Sequence, residues 1–257
     1  MKPNNIYSKI VLDKKNNIKR LAFLLDPDKI DFEILPNLLH DCILNKVGFI
    51  FVGGSLITKF QLTDLVCFIK KYCDIPVILF PGNSLHIEPE ADAILLLSLI
   101  SGRNPEYLIG QHVIAAPILK NSGIEILSTG YILVDSGQQT TVSYISNTTP
   151  IPHNKPEIAA CTAMAGEMIG MKLIYLDGGS GAKNPVSQKM ITQVKDAVEL
   201  PIIVGGGINT LEKGENALNA GADIIVIGNK IETDPDFIST IGKIINKENK
   251  VLTYIES

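Results

Sequence analysis

Short, nearly continuous runs of Ile, Val, Leu and Phe recur along the chain, separated by longer stretches whose apolar residues return every three or four positions. Runs without polar alternation are what strands buried on both faces require. They predict eight strands, at residues 20–26, 47–53, 75–81, 91–98, 130–135, 172–177, 201–206 and 222–228. Helices cover most gaps between them. In "FQLTDLVCFIKKYC", Leu62, Leu65, Val66, Ile69 and Cys73 form one stripe, with Thr58 as a candidate cap. Between residues 30 and 45, Leu35, Leu38, Leu39, Cys42 and Ile43 share a face, and Pro36 marks the first helical position. Strand and helix therefore alternate to the C-terminal end, and a closed parallel barrel fits this better than an open sheet.

One gap breaks the rule. "GNSLHIEPE", between the third and fourth strands, is too short for the dozen or so residues of a helical crossover, so the third helix should be missing. Residues 136–155 form a long polar connection expected to act as a lid or an extra loop. With no internal repeat or low-complexity linker, the reading is a single domain over residues 1–257, a modified (β/α)8 TIM barrel lacking a regular third helix.

Composition narrows the partners. Hydrophobic residues make up 46% and charged residues 19%, an ordinary balance for a globular enzyme. A net charge of −4, with no dense Lys/Arg cluster, argues against nucleic acid and against an electrostatic membrane anchor. The longest dense apolar run, "AILLLSLI", falls far short of the ~20 residues of a membrane span, so no stable membrane insertion is expected. Cys42, Cys67, Cys73 and Cys161 have neither CxxC spacing nor a His-rich neighbourhood and read as reduced core thiols of a cytoplasmic protein.

In a (β/α)8 barrel the chemistry sits at the C-terminal ends of the strands. In order those ends carry "DPDK", "GGSLIT", "PGN", "SGRNP", Asp135, "DGGSGA", "GGGINT" and "GNKIE". Gly205, Gly206 and Gly207 let main-chain N–H groups approach an anion without a Cβ in the way, and a following helix adds its positive end. Gly228 and Asn229 supply the other half of a phosphate cradle, since the loops after strands seven and eight form the recurrent phosphate site of this architecture. Alone, the glycine triplet is equally a tight turn. Asp177 in "YLDGGSGA" is placed to meet a hydroxyl of a phosphate-bearing substrate, or else forms an Asx turn, and Tyr175 shares its face. In "LLDPDK", Asp26 and Asp28 are oxygen ligands of the kind Mg²⁺ takes, with the Ser55 hydroxyl on the adjacent strand; the alternative is a turn whose Asp28 or Asp31 caps a helix. His86 is a weaker candidate for substrate contact, and Arg103 with Asn104 for a second anion. No strand end carries an inward Lys for a Schiff base or a plausible His–nucleophile pair.

Taken together, "LLDPDK", "FVGGSLIT", "LFPGN", "LISGRNPEYLIGQH", "YLDGGSGA", "IIVGGGI" and "GADIIVIGN" resemble, in order and spacing, the geranylgeranylglyceryl phosphate synthase family, which includes the heptaprenylglyceryl phosphate synthases. The resemblance implies transfer of a prenyl group, geranylgeranyl in the first instance, from its diphosphate to the 3-hydroxyl of sn-glycerol-1-phosphate with Mg²⁺, in a homo-oligomer (dimer or hexamer). By the same resemblance Asp26 and Ser55 contact magnesium. Tyr175, Leu176, Asp177, Gly178, Gly179, Ser180 and Gly181, with Gly205 to Gly207, Gly228 and Asn229, hold glycerol phosphate. Asp177, with Tyr175, would be catalytic, Asp177 accepting the hydroxyl proton. Family members often carry glutamate where this chain has Asp177, and some a basic residue where it has Leu24. Two rivals stay open on residues alone: a sugar-phosphate isomerase or indole-type synthase on the same barrel, and a non-catalytic phosphate-ligand binder.

Overall fold

The computed structural model describes residues 5–59, 61–228, 234 and 236–255. Eight parallel strands close into a barrel in chain order: β1 (Arg20–Leu25), β2 (Phe49–Gly54), β3 (Val77–Pro81), β4 (Ala93–Ser98), β5 (Glu125–Leu133), β6 (Leu173–Asp177), β7 (Ile202–Gly205) and β8 (Ile224–Ile227). Period-two alternation sorts each strand into two layers. Leu21, Phe23 and Leu25 of β1, Ile50 and Val52 of β2, and Ile174 and Leu176 of β6 point outward into the helical layer. Ala22 of β1, Phe49 and Phe51 of β2, and Leu173 and Tyr175 of β6 fill the barrel interior.

Around the barrel lie α1 (Ile6–Lys15), α2 (Leu35–Leu44), α3 (Leu62–Tyr72), a π-helical turn (Glu106–Gly110) leading into α4 (Gln111–Ser122), α5 (Thr141–Ser146), α6 (Pro156–Met168), α7 (Gln188–Lys195), α8 (Leu211–Asn219) and α9 (Asp236–Ile255). Pro36 is the second residue of α2, one place later than expected but still in the first turn, where its missing N–H costs no hydrogen bond. Ile43 leaves the predicted face and is exposed. Thr58 does not cap α3, which starts after Gln61; its groups are committed elsewhere. As the short connection predicts, no helix separates β3 from β4. The polar connection after β5 folds partly into α5.

Two features escape the hydrophobic pattern. β5 starts at Glu125, five residues before the expected start, because "EILST" pairs with β4 although its apolar run is broken by Ser128 and Thr129. The polar N-terminal stretch forms α1, whose Ile6 and Ile10 are buried in the interior cluster. Glu125 accepts the Ile6 and Tyr7 N–H groups at 2.6 and 3.0 Å, satisfying two first-turn donors that have no partner within the helix. Asp13 of α1 grips Arg20 at the start of β1 through two 2.7 Å bonds. Since Glu125 and Arg20 are the first residues of their strands, α1 lies at the N-terminal end of the barrel and leaves the opposite mouth to chemistry.

Candidate active site

The inward parity of each strand, carried past its last paired residue, delivers the site. Ala22 and Leu24 are followed by Asp26; Phe49 and Phe51 by Gly53 and Ser55; Leu173 and Tyr175 by Asp177; Ile203 by Gly205 and Gly207; Ile224 and Val226 by Gly228. Asp26, Ser55, Tyr175, Asp177, Gly207 and Gly228 accordingly share one cleft of about 550 Å³ at the C-terminal mouth, with Gly179, Ser180, Gly181 and Gly206.

Its floor is aromatic. Phe80 stacks on Tyr175 with ring centroids 5.3 Å apart, and Tyr131 of β5 lies 5.4 Å from Tyr175 and 6.2 Å from Phe80. Over this floor the buried Asp177 accepts the Tyr131 hydroxyl on Oδ2 and the Gly179 N–H on Oδ1 at 2.8 Å. Burial raises the Asp177 pKa above the usual carboxylate value, opposed by those two bonds, which favour the ionised form. Burial, reinforced by the Asp177 charge, pushes both tyrosines well above their ordinary value. At neutral pH the tyrosines keep their protons and Asp177 is the acceptor among the three, so Tyr175 serves as a wall of the site and not as a base.

Gly206 and Gly207 adopt φ of 81° and 73°. A Cβ on Gly206 would stand 2.7 Å from Asp177 Oδ1 and from the Gly178 and Gly179 nitrogens, so the glycine turn after β7 packs directly on the turn after β6. α8 begins only at Leu211, and the Thr210 side chain already accepts the Lys213 N–H. Among the described residues the cradle is thus made of glycine turns, with α8 starting beyond them. Leu176 points into the helical layer, Gly205 is buried against the Tyr175 ring, and the Gly178 N–H donates to Gly205 O at 3.1 Å. These three are scaffold to the cleft and do not line it. Asn229 lies outside the described residues.

On the opposite wall, a side chain built at Gly54 would lie 3.7 Å from the Asp26 carboxylate, which places Asp26 over the end of β2 beside Ser55. Asp26 Oδ2 is 3.2 Å from Lys29 Nζ, a cation already seated at this carboxylate. One carboxylate and one hydroxyl are hard oxygen donors that suit Mg²⁺, and among the described residues no cluster of three His, Cys, Asp or Glu supplies a complete protein cage. A cation there would take its remaining ligands from substrate and water. Asp28 lines the same cleft with its carboxylate already engaged: Oδ2 accepts the Thr58 N–H and hydroxyl, both at 2.7 Å, and Oδ1 the Lys59 N–H at 2.8 Å. It does not cap α2, and its carboxylate is held by the β2 loop.

The remaining candidates separate from the cleft. After Leu133 the chain bridges to Ile151, and Asp135 turns outward to accept the Gly137 N–H at 2.9 Å. Arg103 donates to the Gly102 carbonyl at 2.8 Å, and Asn104 to Ser146 O at 2.7 Å, and neither lines the cleft. His86 receives the Gly82 N–H on Nδ1 at 3.1 Å and organises the helix-free connection. That connection borders a second, narrow depression lined by Phe80, Ile94, Leu97, Ala115, Leu119 and Tyr131 and roofed by Val142 and Ile145 of α5. Gly54, Ser55 and Phe80 line both hollows, so the apolar groove opens into the polar cleft beside Ser55. Tyr131 was the residue missed by sequence reasoning. Displacing β5 by several residues made Asp135 the nominal strand end, although the spacing Leu127, Thr129, Tyr131 already held the inward parity.

Known proteins resemble this chain in sequence and fold. The pattern of the PcrB family matches residues 14–246. The geranylgeranylglyceryl phosphate synthase of Spirosoma linguale is 57% identical over 237 residues, covering 92% of this chain and 95% of that protein. That of Chitinophaga pinensis is 51% identical over 249 residues, 97% and 99% of the two chains. Among solved structures, (S)-3-O-geranylgeranylglyceryl phosphate synthase from Thermoplasma acidophilum, in complex with its substrate sn-glycerol-1-phosphate, superposes with a TM-score of 0.89 at 30% identity, over 96% of this chain and 99% of that one.

Proposed function

The chain belongs to the PcrB family, and from that premise we propose that it is a prenyltransferase of the geranylgeranylglyceryl phosphate synthase type. It joins the 3-hydroxyl of sn-glycerol-1-phosphate to the allylic carbon of a prenyl diphosphate, forming an ether and releasing diphosphate. One geometric observation carries the reading. The glycine cradle, the Asp177 carboxylate and the Asp26–Ser55 pair share a cleft that opens into an apolar groove.

The Gly206–Gly207 turn and Gly228, with the Ser180–Gly181 turn facing them, hold the phosphate monoester through main-chain groups. The glycerol hydroxyl then lies over Asp177, at the junction with the groove. Asp26 and Ser55 would hold Mg²⁺, and Lys29, paired with Asp26 in the same cleft, would supply positive charge for the diphosphate. When bound, Mg²⁺ neutralises charge on the departing diphosphate. The hydroxyl oxygen forms the new bond to the allylic carbon as the carbon–oxygen bond to diphosphate breaks, and the hydroxyl proton passes to Asp177, whose raised pKa makes it a better acceptor. Tyr131 lines the groove, Tyr175 the cleft and Phe80 both, so electron-rich rings border the place where positive charge develops on that carbon. Positioning of two substrates contributes ~7–11 kcal/mol of barrier lowering, which leaves little for a strong base to supply. The groove encloses only about 80 Å³, so a long tail enters when α5 yields.

Among the described residues no helix is long and apolar enough to cross a membrane; with four free cysteines, the setting proposed is the reducing cytoplasm. Ile109, Val113, Ile114 and Ile118, all exposed on the outer side of α4 and the turn before it, support a homo-oligomer. Incubation with labelled glycerol phosphate, prenyl diphosphates of several lengths and Mg²⁺, followed by organic extraction, tests the activity. Labelled lipid is expected and should vanish with EDTA; radioactivity confined to the aqueous phase at every chain length overturns the reading.

A further inference from the structure

The β1–β2 ladder ends at the pair Leu25 and Val52. Asp26 follows that end by one residue and Ser55 by three, so the ladder itself does not hold the two proposed cation-binding groups in register. The next tie between the two loops is Asp28. Its side chain accepts three hydrogen bonds from Thr58 and Lys59, in the loop that begins at Ser55, while its own N–H donates to Asp26 Oδ1 at 3.0 Å. One residue thereby grips the β2 loop with its carboxylate and orients the Asp26 carboxylate with its amide. Charge-assisted bonds of 2.7 to 2.8 Å are the strong class, and three on one carboxylate leave it few lone pairs for a metal.

We infer that Asp28 is a positioning residue, a clamp between the two loops that sets Asp26 against Ser55 so that one cation meets both. This rests on the reading of Asp26 and Ser55 as the cation-holding pair. Asp28 lines the cleft, but its carboxylate is committed to Thr58 and Lys59, so it acts through the geometry of the residues that hold the cation. In Asp28→Asn one acceptor becomes a donor that faces a Thr58 or Lys59 donor, so the clamp opens with little change in volume. In Thr58→Val only the hydroxyl arm is lost, and Thr58→Ser restores it.

The test is calorimetric binding of inorganic pyrophosphate to the full-length protein, with and without saturating Mg²⁺, and of sn-glycerol-1-phosphate, alongside thermal melting. The measured quantity is the ratio by which Mg²⁺ tightens pyrophosphate. By analogy with residues that orient metal ligands from behind, Asp28→Asn should lower this ratio roughly 10-fold or more and Thr58→Val about 3-fold, with Thr58→Ser near wild type. Glycerol phosphate affinity should stay unchanged in all three. A wild-type ratio in Asp28→Asn overturns the inference. So does a loss in Asp28→Asn with none in Thr58→Val, which would make Asp28 a ligand itself. If Asp28→Asn melts too early to titrate, the valine–serine pair at 58 decides alone. A wild-type protein whose pyrophosphate affinity ignores Mg²⁺ overturns the Asp26–Ser55 assignment, and the clamp with it.

Discussion

Asp177 carries opposed demands. Its folded pKa is raised above the unfolded value of 3.8, chiefly by burial. Its contribution to stability is therefore fully present below pH 3.8 and lost as pH rises through the raised folded value, so the ionised carboxylate costs stability at neutral pH. In Asp177→Asn the amide oxygen keeps the Gly179 bond, and the Tyr131 hydroxyl reverses to accept from the new NH₂. The variant should melt no lower than wild type at pH 7 while turnover falls roughly 10²-fold or more, the usual contribution of a positioned base. A large drop in melting temperature with activity retained would count against the assignment. Tyr131→Phe removes a bond that favours the ionised carboxylate, so its pKa rises further and the acid limb of kcat/KM should move to higher pH. An acid limb at the wild-type position would show that this bond does not tune Asp177.

The turn after β7 shows how an element, more than any one side chain, builds the cradle. Gly206 combines a left-handed φ of 81° with a backbone approach that a Cβ would obstruct at 2.7 Å from three atoms, one of them Asp177 Oδ1. Gly206→Ala therefore meets two penalties, about 1–2 kcal/mol for the backbone conformation and more for displacing the β6 turn. We expect at least a 10-fold loss of sn-glycerol-1-phosphate affinity, read by calorimetry, with a lowered melting temperature, from removal of a charge-assisted contact worth ~1.5–3 kcal/mol. Wild-type affinity would mean that the phosphate does not lie on this turn. At the same scale α5 joins the two hollows: Thr141 faces the polar cleft while Val142 and Ile145 roof the apolar groove.

Across the whole molecule, stability and chemistry divide between the two ends of the barrel, as the architecture favours. α1 closes the N-terminal end through Ile6 and Ile10 and hangs on Glu125. Asp223 adds Lys14 and Lys19 at 3.4 and 3.5 Å and the Ile202 N–H at 2.9 Å. Glu125→Ala leaves two α1 amides without an acceptor and should cost about 1–3 kcal/mol in denaturant unfolding, with kcat and KM unchanged because the mouth lies at the other end. A kinetic defect without loss of stability would contradict that division.

Much of this protein follows from local pattern. Pleating within each strand already puts Leu24 with Asp26, Gly53 with Ser55, Tyr175 with Asp177, Gly205 with Gly207 and Val226 with Gly228 on one row, since it is a property of one strand and needs no partner, although which row faces inward is set by closure. The short link after β3 likewise rules out a helix by length alone. What closure of the barrel decides is adjacency. Tyr131 meets Asp177 because β5 pairs in register with β6, with Tyr131 beside Tyr175. Asp28 spends its carboxylate on the β2 loop because Thr58 and Lys59, about thirty residues on, offer it three donors. Leu176 and Gly178 drop out of the cradle for a comparable reason, one facing the helices and the other bonded to Gly205. Parity is fixed by the backbone of a single strand, whereas the partner of each inward side chain depends on register between strands distant in sequence, which only the packed tertiary structure settles.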